Sequence, residues 1–262
     1  MNKTENKGKL SVIGTGPGNP EHMTAAAEKA VLEADIIIGY KTYLEQIPEL
    51  LEGKDVLSST MMQEVERCRK ALGLAEEGRK VALICGGDPG IYAMAGLVLE
   101  LAAGSNSEES DIEVVPGLAA LNSCAARLGA PLMHDFAAIS LSDLLTPWPL
   151  IEKRLSAAAE ADFVIVIYNP RSKKRRHHLN RAQELIMAHR DSETPVGIVT
   201  AAGRVNEKIT ITSLNKMAAA EVGMQSTVIV GNSTTFRWQD FMITPRGYAD
   251  KYGLEGSAQG GA

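Results

Sequence analysis

The segment Val81–Ile91, VALICGGDPGI, constrains this chain more than any other. An unbroken apolar run bounded by turn residues is the pattern of a strand buried on both faces, as in a parallel sheet covered by helices. The run stops at Gly86-Gly87-Asp88-Pro89. Two glycines let a ligand approach the backbone, Asp88 offers a carboxylate, and Pro89 ends the strand. In open α/β sheets that carboxyl-terminal edge is where small molecules bind. A second glycine-rich turn, GTGPGNP (Gly14 to Pro20), follows an apolar run at Leu10–Ile13. Two such strand ends in one half of the chain point to a small-molecule site, and so to an enzyme.

The glycine spacing narrows the ligand. Gly14, Gly16 and Gly18 alternate, whereas the dinucleotide fingerprint needs its third glycine three residues after the second, where Asn19 stands. No Gly-Lys-Ser/Thr follows, so the phosphate-binding P-loop is excluded too. A tight turn with no ligand also accounts for GTGPGNP taken alone. Pro116-Gly117 ends another expected strand, and Ala119-Ala120 just beyond it would admit a flat ligand such as adenosine. Ordinary helix packing explains those alanines equally well.

Further strands are expected at Ile36–Gly39, Glu113–Val115, Phe163–Tyr168, Val196–Thr200 and Thr227–Val230, with an edge strand at Met242–Pro245. Helical patterns fall at Thr24–Glu33, capped by Thr24, and at 90–103, 118–128 and 181–189. Helices alternating with apolar strands predict crossover connections and largely parallel sheets. The 262 residues suit one large domain or two of ordinary size; a boundary around 131–138, taken after His134, divides the two, with a Gly/Ser/Ala-rich flexible tail over 249–262.

Composition excludes several function classes. A formal charge of −5 and 5% aromatic residues fit neither nucleic acid nor an anionic membrane as partner. There is no signal-peptide pattern and no apolar run of membrane-spanning length, so the chain reads as soluble and cytoplasmic. Three widely spaced cysteines form neither a disulfide framework nor a zinc pattern, and no protein metal site is expected.

Two polar stretches stand out in the second half. In 133–143, His134 is an acid–base candidate or a donor to a substrate carboxylate. The same stretch also reads as a connector whose polar groups cap the chain from Leu144. The basic run Arg171–His178 directly follows an expected strand end. Most such runs are solvated faces, although at this edge a few side chains can receive a polyanion.

Together, GTGPGNP, GGDPGIYAMAG, VVPGLAALNSCAARLGAPL, IYNPRS and TVIVGN resemble the tetrapyrrole (corrin/porphyrin) methylases, from about Leu10 to Tyr248. Within that family, Met133–Leu155, YNPRSK and MITPRGY resemble the enzymes that methylate C17 of the corrin precursor. Ile38–Tyr43 points to the cobalt-dependent, oxygen-independent branch.

The resemblance implies two α/β domains, 1–134 and 135–248, each a mostly parallel sheet flanked by helices. It places S-adenosylmethionine in the cleft between them and makes the protein a homodimer. Carried over position by position, Gly86, Gly87, Asp88, Ile91, Ala119, Ala120, Asn169, Ala202 and Thr227 line the cofactor site. Gly14, Gly16, Pro17 and Gly18 face the tetrapyrrole, and Tyr40 replaces an aspartate that some relatives carry. Arg171 and Lys173 are expected to pair with substrate carboxylates. His134 and Asp135 are expected to handle protons, with Ser140 and Ser142 as hydrogen-bond donors. The implied reaction is methyl transfer to C17 of cobalt-precorrin-3 with ring contraction and lactone formation, in cobalamin biosynthesis. Any cobalt arrives with the substrate. The rivals within the family are the oxygen-dependent enzyme acting on precorrin-3B and the enzymes acting at C11 or C20. Outside it, a nicotinamide oxidoreductase is ruled out by glycine spacing, and a non-catalytic tetrapyrrole or adenosyl carrier is separated by turnover.

Overall fold

In the computed structural model, residues 8–60, 62–105 and 111–253 are described. Contacts divide the chain into two units, Met1–Ala120 and Leu121–Ala262.

The first unit is built on β1 (Lys9–Gly14), α1 (Ala25–Glu33), β2 (Ile36–Tyr40), α2 (Lys41–Leu44), β3 (Asp55–Ser59), α3 (Glu64–Glu76), β4 (Lys80–Cys85), α4 (Ala95–Gly104) and β5 (Asp111–Val115). Its sheet has the order β3-β2-β4-β1-β5, and every pairing is parallel. Side chains alternate between two cores. Ile13, Ile37 and Ile84 meet Ala27 and Val31 of α1 on one face. Leu10, Val12, Ile38 and Leu83 meet α3 and α4 on the other, through Cys68, Ala71, Ala95 and Val98. From the adjacent strands β1 and β4 the chain therefore leaves toward opposite faces. That divergence opens a crevice at their carboxyl ends, the usual ligand position in such sheets. The expected cap of α1 is present: Thr24 Oγ1 accepts the Ala27 N–H at 3.1 Å.

The second unit contains most of α5 (Ala120–Leu128), then β6 (Gly129–Ala130), β7 (Phe136–Ser140), α6 (Trp148–Glu160), β8 (Val164–Tyr168), α7 (His178–Met187), β9 (Pro195–Thr200), β10 (Lys208–Ser213), β11 (Ser226–Val230), β12 (Phe236–Trp238), β13 (Phe241–Ile243) and α8 (Tyr248–Tyr252). Its main sheet runs β10-β9-β11-β8-β7. Only the β7·β8 pair is parallel; β10·β9, β11·β9 and β11·β8 are antiparallel. The expectation of a mostly parallel sheet thus holds in the first unit and needs correction in the second. There β9 turns back through a short loop into β10, and the chain then crosses β9 through the 3-10 turn Leu214–Ala219, so β11 runs the same way as β10 and lies antiparallel between β8 and β9. Helices α6 and α7 cover the sheet through Ile151, Leu155, Leu179 and Ile186, which pack on Ile165, Ile167, Ile198 and Val228.

Other differences have local causes. The division falls after Ala120, ahead of the expected His134, because β6 pairs with β13 and Leu128 packs over Gly197, both of the second unit. Residues 90–94 are turn and bend, and Tyr92 takes φ 52°, so α4 starts at Ala95. The 241–243 strand lies between β12 and β6 and is no edge. The tail expected from 249 begins inside α8, and residues 254–262 lie outside the described ones. Elements α2, β3, α3, β6, β7, α6, β10, β12 and α8 were not among the expected ones. No helix among the described residues is long and apolar enough to cross a membrane.

Candidate functional site

In the first unit the sequence-predicted residues gather at the carboxyl ends of β1, β4 and β5. The two glycine turns are laced together: Gly16 and Gly87 exchange backbone hydrogen bonds of 3.1 and 2.7 Å in an isolated antiparallel bridge. Thr15 adds two more, its N–H and its hydroxyl both donating to the Cys85 carbonyl at 2.9 and 3.1 Å. Gly14 is required by close approach. A Cβ there would stand 2.5 Å from the Gly87 oxygen and 2.8 Å from the Gly117 nitrogen. Gly14, Gly16 and Pro17 are buried, and Gly18 at the end of the turn is half-buried.

Gly87 differs. It takes φ 70°, and a Cβ on it would have only Ala120 N and Ala119 Cα near, at 3.9 and 4.0 Å. The chain is open above Gly87 and rimmed by small residues, Ala119 buried and Ala120 half-buried. Nothing else lies within 4 Å of that position.

Asp88 is half-buried, and both its oxygens are engaged. Oδ1 accepts the Gly90 N–H at 2.8 Å and Oδ2 the Gly117 N–H at 3.2 Å. Its carboxylate therefore fixes the β4 turn against the β5 turn, leaving each oxygen one further lone pair for a ligand. Ile91 is half-buried on the same turn, its N–H directed at the Asp88 carbonyl at 3.4 Å. Tyr40 ends β2, half-buried and edge-on to Tyr43 at 5.4 Å between ring centroids. Beneath the turn, burial pushes the Cys85 thiol up to about 12.

The second unit has one edge of its own. Strands β7, β8 and β9 point the same way and β11 the opposite way, so the ends of the first three meet the start of β11. Ser140, Ser142, Asn169, Ala202 and Thr227 all fall there. Ser140 Oγ accepts the Asn169 side-chain N–H at 3.0 Å and the Ser142 backbone N–H at 3.2 Å. Asn169 takes φ 50°, which an asparagine tolerates at a turn. Ala202 and Thr227 are buried, at 8% and 5% exposure. Thr227 also hydrogen-bonds Cys124, whose thiol burial nevertheless pushes up to about 11.

His134 and Asp135 are not part of this group. Asp135 precedes β7 and Ser140 ends it, so roughly 15 Å of extended chain separates them. Both side chains are exposed, at 47% and 81%. His134 Nδ1 accepts the Asp135 N–H at 2.9 Å and lies 3.7 Å from the Asp135 carboxylate.

The imidazole at the right edge is His178, which the sequence reading missed. Its Nε2 lies 3.1 Å from Asp143 Oδ2, and its ring stands edge-on to Trp148 at 4.3 Å. Burial works to raise the Asp143 carboxyl, but the His178 hydrogen bond, aided by the charges of His178 and Arg175, holds it below its ordinary value. Asp143 follows the end of β7 by three residues, and His178 opens the helix that comes after the loop leaving β8. Their separation along the chain concealed the pairing. Arg171 is half-buried on this edge; one terminal N–H donates to the Ala218 carbonyl at 2.7 Å and its buried Nε lacks a partner. Lys173 is exposed. Among the described residues no cluster of His, Cys, Asp and Glu could hold a metal.

The chain is similar to known proteins over most of its length. A "Probable cobalt-factor III C(17)-methyltransferase" of Salmonella typhimurium is 53% identical over 241 residues, 91% of this chain and 99% of that one. A cobalt-factor III methyltransferase of Priestia megaterium is 51% identical over 256 residues; the chain spans about half of it, 47% of its length. Among solved structures, the methyltransferase CobJ matches with a TM-score of 0.85 and 36% identity, over 91% of this chain and all of that one (100%). A Thermus thermophilus uroporphyrin-III C-methyltransferase, complexed with S-adenosylhomocysteine, matches with a TM-score of 0.69 and 26% identity, over 86% and 97%. The family profile described as Tetrapyrrole (Corrin/Porphyrin) Methylases covers residues 9–218. The chain belongs to the tetrapyrrole methylase family.

Proposed function

We propose that the protein is an S-adenosylmethionine-dependent methyltransferase acting at C17 of a cobalt-loaded ring of the cobalt-factor III or cobalt-precorrin-3 type. The observation that carries this reading is the 53% identity to a relative of that name over nearly its full length. The cradle at Gly87, Ala119 and Ala120 supports the cofactor half, as does a family member held with S-adenosylhomocysteine. When bound, S-adenosylmethionine supplies a methyl group already activated on a sulfonium.

The chain's own work is then mostly placement. Holding two reactants in line is worth up to roughly 7–11 kcal/mol, with no covalent help from the protein. Gly87 admits the adenosyl group, Asp88 keeps the turn in shape, and Ala119 and Ala120 offer backbone contact where a side-chain hydroxyl is lacking. Asn169, oriented by Ser140, presents its amide oxygen and its second N–H at the edge of the second unit. Arg171 and Lys173 are the proposed partners of ring carboxylates. We assign proton handling during ring contraction to His178, steadied at Nε2 by Asp143, in place of His134 and Asp135. A homodimeric, cytoplasmic protein completes the proposal; mass in solution reads the first.

The test is anaerobic incubation with cobalt-factor III and S-adenosylmethionine, followed by mass spectrometry. One added methyl per ring, with one S-adenosylhomocysteine formed, supports the proposal. An unchanged ring bound by the protein makes it a carrier.

A further inference from the structure

Among the described residues two arginines are more than nine-tenths buried, and their surroundings differ. Arg190, 7% exposed, has a carboxylate: Asp162 Oδ1 lies 2.9 Å away, and the carbonyls of Ala159, Phe163 and Gly231 accept its other N–H groups. Arg67, 5% exposed, has none among the described residues. Its Nε donates to Ser59 Oγ at 2.6 Å, one terminal nitrogen to the Thr60 carbonyl at 3.1 Å, and the other to the Met94 sulfur at 3.4 Å. These acceptors are a hydroxyl, a carbonyl and a thioether, the last a weak one, so the positive charge is solvated by neutral groups alone. A guanidinium carries five N–H groups, and those contacts occupy three. Burying such a charge without an anion is costly, and folds rarely retain it for packing.

Position gives the charge a use. Arg67 lies in the first turn of α3 and reaches the carboxyl end of β3, at Ser59 and Thr60. Ser59 in turn donates to the Gly39 carbonyl at 3.3 Å, next to Tyr40. Met94 ends the segment that begins at the Gly86–Asp88 turn. The guanidinium thus belongs to the same sheet edge as the candidate site. It sits one side chain beneath half-buried Ser59 and exposed Thr60. A carboxylate is its natural complement, since the planar fork accepts two oxygens side by side.

We infer that Arg67 is the seat of a ligand carboxylate, either an acid arm of the ring or the amino-acid end of the cofactor. The naming of those two sources rests on the function proposed above; the anion site itself does not.

The test uses the native full-length chain labelled with ¹⁵N, following the Arg67 Nε–H resonance assigned through its side-chain connectivities. Three probes are titrated separately: acetate, S-adenosylhomocysteine and cobalt-factor III. A saturable shift with acetate supports the anion site even where neither larger ligand binds, an outcome that would remove the proposed function and leave this inference standing. A stronger shift with one of the larger ligands, together with about a 10- to 100-fold loss of its affinity in Arg67→Gln, identifies the source. If the resonance responds to none of the three, Arg67 only stitches β3, α3 and α4 together, and the inference is overturned.

Discussion

Asp88 shows how one side chain carries both structure and site. Its two oxygens each hold a backbone N–H, from Gly90 and from Gly117, so its removal leaves two donors without partners. Asp88→Ala should lower stability by about 1–3 kcal/mol and weaken S-adenosylhomocysteine binding tenfold or more. Asp88→Asn keeps one acceptor and turns an N–H toward the other donor, so it should fall between. Calorimetric titration checks both, and an unaltered affinity in a folded Ala variant would remove the turn from the cofactor site. The cysteines give a second check. Burial pushes Cys68 and Cys124 up to about 11 and Cys85 up to about 12, so all three should resist alkylation at pH 8 in the native protein and react once it unfolds. Asp88 was legible as a site residue from its place after an apolar run. Its grip on Gly117 was not, because that bond spans two turns far apart in the chain.

At the scale of elements, the turns after β1 and β4 are laced together by backbone hydrogen bonds. A methyl group on Gly14 would strike backbone on both sides, which side-chain rotation cannot relieve. Gly14→Ala should therefore cost ~3 kcal/mol and disturb ligand binding along with the fold, as read by denaturant unfolding. In the second unit, the loop after β7 is held to α7 by Asp143 and His178. The Asp143 carboxyl is depressed in the folded state, so its contribution is present in full above the ordinary carboxylate range and fades as pH falls through its folded value. The stability gap between wild type and Asp143→Asn should accordingly close toward low pH; a gap independent of pH would contradict this. Buried strands such as β4 and β8 were legible because their apolar runs are unbroken. Elements β3 and α3 were not: β3 is an edge strand with Val56 and Leu57 exposed, and α3 sets its apolar face among charged residues. The distance of His134 from Ser140 was hidden for a related reason. Sequence proximity put His134 beside Ser140, whereas a strand carries its two ends to opposite edges of a sheet.

For the whole molecule, family membership and the first unit's parallel sheet follow from a few glycine-rich strand ends, since all of its strands but the edge strand β3 can be read from the sequence. The second sheet could not be read so, because antiparallel return depends on connections and not on strand composition. The proposed function has the molecule transfer a methyl group to one carbon of a large acidic ring, and that carbon can be observed directly. The decisive measurement is anaerobic turnover of cobalt-factor III with S-adenosylmethionine carrying a ¹³C-methyl group, followed by NMR of the isolated product. A single enriched methyl bonded to C17 is the predicted result. Enrichment at C11 or C20, or a ring recovered without label, would contradict it.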